Sequence, residues 1–277
     1  MSKLLTRAVS GLLFALITIS CILYNQFSAA IYLFALMLLC LKEFKRLLGY
    51  NSFVPYLISI LLFLLNFEGN THFFNMGKNI EKLIYAGLLA LTLIEILRIF
   101  IKVPKSDQVD NIKDFVLSIA YIPIPFMLAY QIGFIEFHDT TYSPTLILLV
   151  FFMLWSNDSF AFLIGKNIGK TPLAPKVSPK KTIEGFAGGV FSTIAIALIL
   201  SLWFLKDENF NIFAWIGLAL IVSISGVIGD LIESYFKRRA GVKDSGNSIP
   251  GHGGFLDRLD SFIFATPFVY LYLTFIF

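Results

Sequence analysis

The chain has 277 residues, of which 57% are hydrophobic and only 14% are charged, and its formal net charge is +4. This composition excludes a disordered chain and argues against a soluble globular protein. The positive excess is explained by the loops between apolar segments, so it requires no nucleic-acid partner. Cys21 and Cys40 both lie in apolar segments and lack the spacing of a disulfide framework or a metal site.

Apolar runs of about the length needed to cross a bilayer recur along the whole chain. Lipid offers no partners for backbone N–H and C=O groups, so these runs are predicted to be helices; the alternation typical of barrel strands is absent. We therefore predict an all-α polytopic integral membrane protein with about nine transmembrane helices. The runs are approximately Ala8–Tyr24, Ala29–Leu41, Val54–Phe67, Leu83–Phe100, Phe115–Phe134, Pro144–Ile164, Ile183–Leu205, Phe210–Ile228 and Phe262–Phe277.

The first run has an alternative interpretation as a cleaved signal peptide. Phe-Ser-Ala-Ala at positions 27–30 would be a weak cleavage site. The next apolar run follows at once and the rest of the chain is equally apolar, so a retained first helix is favoured.

Lysine and arginine are distributed very unevenly between the predicted loops. If the N-terminus is cytoplasmic, nine spans place 19 of the 22 cationic residues inside and leave only Lys78, Lys82 and Lys206 outside. Cytoplasmic loops of membrane proteins carry an excess of lysine and arginine, so this distribution favours that orientation. We accordingly expect the motifs described below to face the cytoplasm.

The chain divides into two unequal parts by chemistry. Residues 1–140 are predicted to be hydrophobic helices with short loops, whereas residues 141–277 carry nearly all the groups capable of chemistry. No fixed-period repeat, low-complexity tract or flexible linker separates the two parts. We therefore predict one continuous membrane domain with a catalytic C-terminal half.

The sixth run contains a polar cluster, Ser156-Asn157-Asp158-Ser159, within apolar sequence. Charged side chains inside a span usually face a protein interior or an aqueous cavity. Asn157 and Ser159 are equally compatible with hydrogen bonds between packed helices. A lone buried carboxylate is costlier than a lone amide, so Asp158 is predicted to be functional.

Residues 176–185, which precede the seventh run, read Lys-Val-Ser-Pro-Lys-Lys-Thr-Ile-Glu-Gly. Pro179 suits the first turn of a helix and Ser178 suits its N-cap, so a helix is predicted to start there, with Glu184 about one turn inside it. A helix N-terminus with serine, threonine and lysine is a ready anion site. We predict phosphate contacts for Ser178, Lys180 and Lys181. Basic residues ahead of a span are also explained by the excess of lysine and arginine in cytoplasmic loops.

The eighth run ends in a segment with glycines and charges, Gly226-Val-Ile-Gly229-Asp230-Leu-Ile-Glu233-Ser234-Tyr-Phe-Lys237-Arg238. The two glycines share a helix face and allow close approach of another helix or a ligand. Glu233 and Lys237 are spaced for an intrahelical ion pair, which suffices to explain Glu233. It does not explain Asp230 at the end of an apolar run, so Asp230 is predicted to bind a metal.

Residues 243–260 combine charges with glycines, and Pro250-Gly251 within them is a turn signal. Gly253 and Gly254 let backbone N–H groups approach a phosphate closely. Asp257 and Asp260, one helical turn apart beside Asp230, would suit Mg²⁺, which takes oxygen ligands and keeps substrate phosphates in its shell. His252 is predicted either to contact a ligand or to hold the loop, and the residues leave both interpretations open.

Motifs for several other chemistries are absent from the sequence. There is no GxxxxGK[ST], no GxGxxG after a strand, no HExxH, no CxxC and no GxSxG. Covalent acyl chemistry and zinc-dependent hydrolysis therefore lack support.

The segment from Ser234 to Asp260 resembles the signature of the phosphatidate cytidylyltransferases, also called CDP-diacylglycerol synthases. No departure from that signature is found at its matching positions: Ser234, Lys237, Arg238, Lys243, Asp244, Gly246, Ile249, Pro250, His252, Gly253, Gly254, Asp257, Arg258 and Asp260. Residues 158–169 and 178–185 are similar to the same family, with Phe162 where tyrosine is expected. The resemblance covers about residues 155–265, and the first 140 residues carry only a generic membrane signal.

The resemblance implies transfer of the cytidylyl group of CTP to phosphatidate in phospholipid biosynthesis, with release of pyrophosphate. It implies Mg²⁺ as a cofactor and leaves room for a second cation. Phosphatidate brings its own nucleophile, so positioning and charge neutralisation at the α-phosphorus of CTP are what the protein must supply. The resulting hypothesis assigns metal binding to Asp230, Asp257 and Asp260, catalysis to Asp230, Asp257, Lys237, Lys243 and Asp244, and substrate binding to Asp158, Ser178, Lys180, Lys181, Arg238, His252, Gly253, Gly254 and Arg258.

Two other functions stay open on the sequence alone. A CTP-dependent polyprenol or dolichol kinase would share the membrane setting and the nucleotide but would transfer the γ-phosphate. A transporter would line a pathway with charges, although here the ionisable residues cluster at one predicted face and no paired half-repeat is present. The family resemblance also implies a homodimer, and the absence of an organelle signal favours a bacterial inner membrane.

Overall fold

In this computed structural model the described residues are 3–49, 52–65, 87, 111–135, 142–204 and 211–276. The predicted span Leu83–Phe100, apart from Gly87, lies outside them. The elements in chain order are α1 (Lys3–Tyr24), α2 (Gln26–Leu48), α3 (Val54–Leu65), α4 (Asn111–Tyr121), α5 (Pro123–Ile132), α6 (Thr145–Ile168), β1 (Pro172–Ala174), β2 (Ser178–Thr182), α7 (Ile183–Phe204), α8 (Ile212–Arg239) and α9 (Leu256–Ile276).

Seven helical stretches among the described residues are long and apolar enough to cross a membrane. They are Leu5–Tyr24, Gln26–Leu48, Phe115–Ile132, Thr145–Ile168, Ile183–Leu202, Ile212–Arg239 and Leu256–Ile276, and Val54–Leu64 is a shorter apolar helix. The architecture agrees with the predicted class of helical membrane protein, while the count of nine spans stays a prediction. With 28 residues, α8 is about 42 Å long and exceeds the hydrocarbon thickness of about 30 Å.

The second helix is longer than its apolar run because both of its ends are capped. Asn25 accepts a hydrogen bond from the N–H of Ser28 at 2.8 Å, and the Ser28 hydroxyl accepts one from the N–H of Asn25 at 3.1 Å. At the other end Gly49 adopts a φ of 77°, a left-handed conformation that terminates the helix. Glu43 lies in the part of this helix beyond the apolar run, and its side chain is buried.

Helices α8 and α9 approach each other closely at Gly229. A Cβ atom there would lie 2.6 Å from the carbonyl oxygen of Asp260 and 2.7 Å from the Cβ of Phe264. The close approach predicted for this glycine face is therefore confirmed. It fixes the distance between the helix that carries Asp230 and the helix that carries Asp260.

We expect Gly229→Ala to destabilise the protein by about 1–3 kcal/mol, because the added methyl group must push two helix backbones apart. The measurement is the thermal unfolding temperature of the detergent-solubilised protein. Ile228→Ala is the matched control, since Ile228 is 40% exposed on the same helix. Equal unfolding temperatures for the two variants would contradict the proposed tight contact.

One end of the helical assembly gathers segments that are far apart in sequence. Arg7 Nε of α1 donates to the carbonyl of Gly251 at 2.9 Å, and the N–H of Leu256 donates to Glu43 of α2 at 2.9 Å. Lys181 of β2 lies 2.5 Å from Asp230 of α8. The N-terminal helices thus contact the same loop as the C-terminal half, and this end of the molecule holds the candidate site.

Candidate active site

A cavity of about 590 Å³ lies where α6, β2, α7, α8 and α9 meet. Its volume is in the usual range for small-molecule sites. Five carboxylates and five cations line it: Asp158, Asp230, Asp244, Asp257, Asp260, Lys166, Lys180, Lys181, Lys237 and Arg258. Apolar groups such as Phe162, Phe186 and Val227 form other parts of the wall. The cavity therefore offers both signs of charge beside an apolar surface.

Three carboxylates form a cluster beside this cavity, and two of them, Asp230 and Asp260, line its wall. One oxygen from each of Asp230, Glu233 and Asp260 lies within 4.8 Å of the other two. Glu233 and Asp260 are buried, and among the described residues the cationic contact of Glu233 is the ammonium of Lys237. Buried carboxylates are costly unless they are paired or bind a metal. The donor type and the spacing suit a hard divalent cation such as Mg²⁺.

Lys237 connects this carboxylate cluster to the last helix. Its ammonium pairs with Glu233, which confirms the predicted intrahelical ion pair, and it lies 2.7 Å from Oδ1 of Asp257. The three side chains are only 12%, 0% and 5% exposed, in the order Lys237, Glu233 and Asp257. Lys237 is thus a buried counter-charge shared by two carboxylates.

Asp257 receives hydrogen bonds from several parts of the loop that precedes α9. Its Oδ2 accepts from the N–H of Ser245 at 2.9 Å, from the Ser245 hydroxyl at 2.9 Å and from the N–H of Gly254 at 2.8 Å. It is not a member of the three-carboxylate cluster, where Glu233 stands instead. Metal ligation by Asp257 stays a prediction, whereas its contacts give it a direct part in holding the loop.

Strand β2 carries two lysines to the cavity wall. Lys181 Nζ lies 2.5 Å from Oδ2 of Asp230, and both side chains are partly exposed. Lys180 lines the same cavity. A lysine ammonium is a compact point charge with three donors, so this strand can neutralise an anionic group placed against it.

The prediction of a helix starting at Ser178 is wrong. Residues Ser178–Thr182 form strand β2, which pairs antiparallel with β1, and α7 begins only at Ile183. A residue before proline favours extended backbone, which explains the strand at Ser178. The capping role falls to Thr182, whose Oγ1 accepts from the N–H of Gly185 at 3.1 Å. Ser178 is outside the cavity wall, and its phosphate contact stays a prediction.

Glu184, which follows β2, is hydrogen-bonded to the residues that precede β1. Its carboxylate accepts hydrogen bonds from the N–H of Lys170 at 3.0 Å and from the N–H of Thr171 at 3.2 Å. It is the second residue of α7, so it lies nearer the helix start than predicted. These contacts tie the end of α6 to the start of α7 beside the cavity.

The Pro-Gly turn predicted in the loop before α9 is present and is held by α1. The N–H of Ile249 donates to the carbonyl of Gly253 at 2.8 Å, which closes the turn. Ser10 Oγ and His252 Nδ1 share a hydrogen bond of 2.7 Å. Partial burial, and then the charges of Arg258 and Arg7, lower the pKa of His252, which favours the neutral imidazole. Of the two open interpretations of His252, the described contacts support loop-holding.

The structure brings most, but not all, of the predicted site residues together. The cavity wall contains Asp158, Lys180, Lys181, Asp230, Lys237, Asp244, Asp257, Arg258 and Asp260. The described wall does not contain Ser178, Arg238, Lys243, His252, Gly253 or Gly254. Gly253 has a φ of 84°, and a Cβ there would lie 2.6 Å from Oδ2 of Asp257, so this glycine is required by the turn itself.

The sequence match to known proteins extends over nearly the whole chain. A profile of the cytidylyltransferase family matches residues 5–276. The chain belongs to the cytidylyltransferase family. The match includes α1 and α2, for which the sequence motifs alone gave only a generic membrane signal.

Within the cytidylyltransferase family, the chain is similar to proteins named phosphatidate cytidylyltransferase. It is 32% identical to the one from Bacillus subtilis (strain 168) over 271 residues, which cover 96% of each chain. It is 33% identical to one from Staphylococcus epidermidis over 267 residues, covering 94% of this chain and 95% of that protein. It is 46% identical to one from Staphylococcus aureus (strain COL) over 151 residues, so the chain matches about half (55%) of that relative's length.

Two residues of this family member have roles that the motifs did not predict. Glu233 joins the carboxylate cluster, and its position three residues after Asp230 on the same helix face was an available signal. Glu43 contacts the loop before α9 from the distant helix α2. No local signal marks Glu43, because Lys42-Glu43-Phe44-Lys45-Arg46 has the composition of an ordinary charged helix end.

Proposed function

We propose that the protein transfers the cytidylyl group of CTP to phosphatidate, giving CDP-diacylglycerol and pyrophosphate. The observation that carries this proposal is the cluster of Asp230, Glu233 and Asp260, with Lys181 against it; Asp230, Asp260 and Lys181 line one cavity at the ends of membrane helices. The names of the relatives support the choice of substrates. The reaction would make the protein an enzyme of phospholipid biosynthesis.

The proposed reaction needs no nucleophilic side chain. A phosphate oxygen of phosphatidate forms a bond to the α-phosphorus of CTP, while the bond from that phosphorus to the oxygen that bridges to the β-phosphate breaks. Pyrophosphate departs with the bridging oxygen, and the total charge is unchanged. The protein must therefore orient two anions and offset their repulsion, which is the main catalytic requirement in phosphoryl and nucleotidyl transfer.

We propose that Asp230, Glu233 and Asp260 hold Mg²⁺, with Asp257 as a further predicted ligand and room for a second cation. The fit rests on three oxygen donors within 4.8 Å of one another and on the burial of two of these carboxylates, Glu233 and Asp260. Bound Mg²⁺ would supply charge neutralisation at the phosphate oxygens. The chain's own contribution is to keep two of the three carboxylates buried and oriented.

The cationic side chains of the wall are proposed to hold the phosphates of the two substrates. Lys181 is paired with Asp230 and would exchange that partner for a substrate phosphate when the cluster holds a cation. Lys180 and Arg258 line the same cavity and would contact the remaining phosphate oxygens. Lys243 and Arg238 are kept as predicted phosphate contacts, Asp158 as a predicted substrate-binding group and Asp244 as a predicted catalytic group.

The orientation and assembly of the protein are further parts of the proposal. The N-terminus and the cavity would face the cytoplasm, because that arrangement places 19 of the 22 cationic residues inside. The bilayer would be a bacterial inner membrane, nine spans would cross it, and the protein would form a homodimer. The contacts of α1, α2, β2 and α9 at one end support a common side for these segments.

The decisive experiment measures pyrophosphate release by the detergent-purified protein given CTP, Mg²⁺ and phosphatidate, with each omitted in turn. Release that requires all three is the expected result. Nucleotide-dependent phosphorylation of a lipid alcohol without pyrophosphate would instead establish a polyprenol-type kinase. No nucleotide turnover at all would exclude both enzymes and favour a transporter.

A further inference from the structure

Glu43 is a buried carboxylate in the N-terminal half that the proposed chemistry does not use. It lies in the last two turns of α2 and is 4% exposed. Its neighbour Lys42 points outward, and Lys45 donates to the carbonyl of Ser52. Within the described part of the chain no ion pair to Glu43 is found. A buried charge without a cationic partner must be stabilised by hydrogen bonds.

All three described donors to Glu43 come from the segment that leads into α9. Its Oε2 accepts from the Ser245 hydroxyl at 3.0 Å and from the N–H of Leu256 at 2.9 Å. Its Oε1 accepts from the Ser248 hydroxyl at 2.9 Å. The side chain thus holds the beginning, the middle and the end of the segment 245–256 at the same time.

Two glycines of this segment leave the space that the Glu43 carboxylate fills. A Cβ on Gly246 would lie 2.5 Å from Oε1, and a Cβ on Gly254 would collide with Oε2. The segment is therefore shaped around the carboxylate and not merely in contact with it. Glu43 itself is outside the described cavity wall, so it acts on the loop and not on a ligand.

A short chain of contacts leads from Glu43 to the cavity. The Ser245 hydroxyl lies between the two carboxylates, 3.0 Å from Glu43 and 2.9 Å from Oδ2 of Asp257, and its single proton is shared between these two acceptors. Asp257 in turn holds Lys237 at 2.7 Å, and Lys237 pairs with Glu233 of the carboxylate cluster. Displacement of the loop would therefore move both Asp257 and the counter-charge of Glu233.

We propose that Glu43 is a positioning residue: through its hydrogen bonds to Ser245, Ser248 and Leu256 it sets the loop that places Asp257 and Arg258 at the cavity. Its role is that of an acceptor, so an amide of the same shape can replace it. The kinetic part of this proposal rests on the proposed function, whereas the structural part does not.

The test compares Glu43→Met with Glu43→Gln in the full-length protein. Methionine keeps the length of the side chain but accepts nothing, and we expect it to lower kcat by about 30- to 100-fold. Glutamine keeps an oxygen for Ser245 and Leu256, and Ser248 can rotate to accept from its amide, so we expect kcat within about fivefold of wild type. The KM for CTP is expected to change less than threefold in both, because Lys180 and Lys181 lie on β2. Lys42→Met introduces the same side chain at the adjacent exposed position and is the control.

Hydrogen exchange provides a readout that is independent of the reaction. In Glu43→Met the amides of residues 244–256 should exchange at least tenfold faster, while those of α8 and of α9 beyond its first turn remain as in wild type. Equal losses of kcat in the glutamine and methionine variants would show that the charge matters and would overturn the positioning role. Unchanged exchange in the loop, or faster exchange throughout the protein, would also overturn it. If wild-type protein releases no pyrophosphate, the proposed function fails, and the exchange data still decide the role of Glu43.

Discussion

Asp230→Asn is expected to lower pyrophosphate release by about a thousandfold or more, equivalent to about 4 kcal/mol of transition-state stabilisation. Asp230 is the member of the carboxylate cluster with the most exposed position, and it also holds Lys181 at 2.5 Å. Asparagine keeps the size of the side chain but removes one of three negative charges at the proposed metal site. The fold should be retained, because Asp230 is only half-buried and the close packing of α8 is at Gly229.

The measurement for Asp230→Asn is the initial rate of pyrophosphate release at saturating CTP over a titration of Mg²⁺. Residual activity should require a higher Mg²⁺ concentration than wild type, because the site has lost an oxygen ligand of full charge. Asp139→Asn makes the same charge change in the predicted loop between the fifth and sixth spans and serves as the control. Turnover within tenfold of wild type with an unchanged Mg²⁺ dependence would remove Asp230 from metal binding.

Lys237→Met is expected to have the largest effect on stability, about 3–5 kcal/mol, together with loss of activity. Lys237 is the shared counter-charge of Glu233 and Asp257, and all three side chains are largely buried. Removing one partner of a buried ion pair leaves an uncompensated charge, which is more harmful than removing the whole pair. Here two carboxylates would lose their cation at once.

Thermal unfolding in detergent measures the effect, with Arg239→Met as the control on the exposed side of the same helix turn. The double variant Lys237→Met/Glu233→Gln removes a cation and an anion together, so it should regain part of the lost stability. It should not regain activity, since Glu233 belongs to the carboxylate cluster. An unfolding temperature for Lys237→Met equal to that of Arg239→Met would show that the ion pairs contribute little.

The helices of this protein could be predicted from its sequence because lipid imposes a simple rule on apolar runs. Seven of the nine predicted runs coincide with helical stretches long enough to span a membrane, and an eighth, Val54–Phe67, coincides with a shorter apolar helix. The predicted positions of the helix ends were less accurate. The run Ala29–Leu41 became Gln26–Leu48, because polar caps and charged residues continue a helix that hydrophobicity alone would end.

The short hairpin could not be predicted from the same signals. Strand β1 has three residues and β2 has five, and Ser-Pro-Lys-Lys-Thr shows no alternation of apolar and polar positions. Pro179 was interpreted as a helix start, although the residue before it favours extended backbone. Thr182 is the cap because α7 begins at Ile183. The predicted N-cap was four residues earlier, at Ser178, so the role of Thr182 was missed.

The candidate site was predicted in composition but not in its connections. Acidic and basic residues that share the cavity, such as Asp230 and Lys181, are prominent in the sequence because charges are rare in apolar segments. The sequence does not show which carboxylates hold the loop and which form the cluster, because this depends on which ones receive hydrogen bonds from the loop. Asp257 receives several from the loop, whereas the described partner of Glu233 is Lys237 on its own helix.

The contact between Glu43 and Leu256 joins residues that are 213 positions apart, and this separation has a consequence during synthesis. At roughly 5–20 residues per second, a ribosome needs about 10–40 s to produce the second partner after the first. For most of that interval, until Ser245 is made, the carboxylate on α2 has none of its loop donors, although its helix has already emerged. The site is therefore among the last parts of the protein to form, and a nascent chain that stops before the final helix has its first helices in place but no working centre.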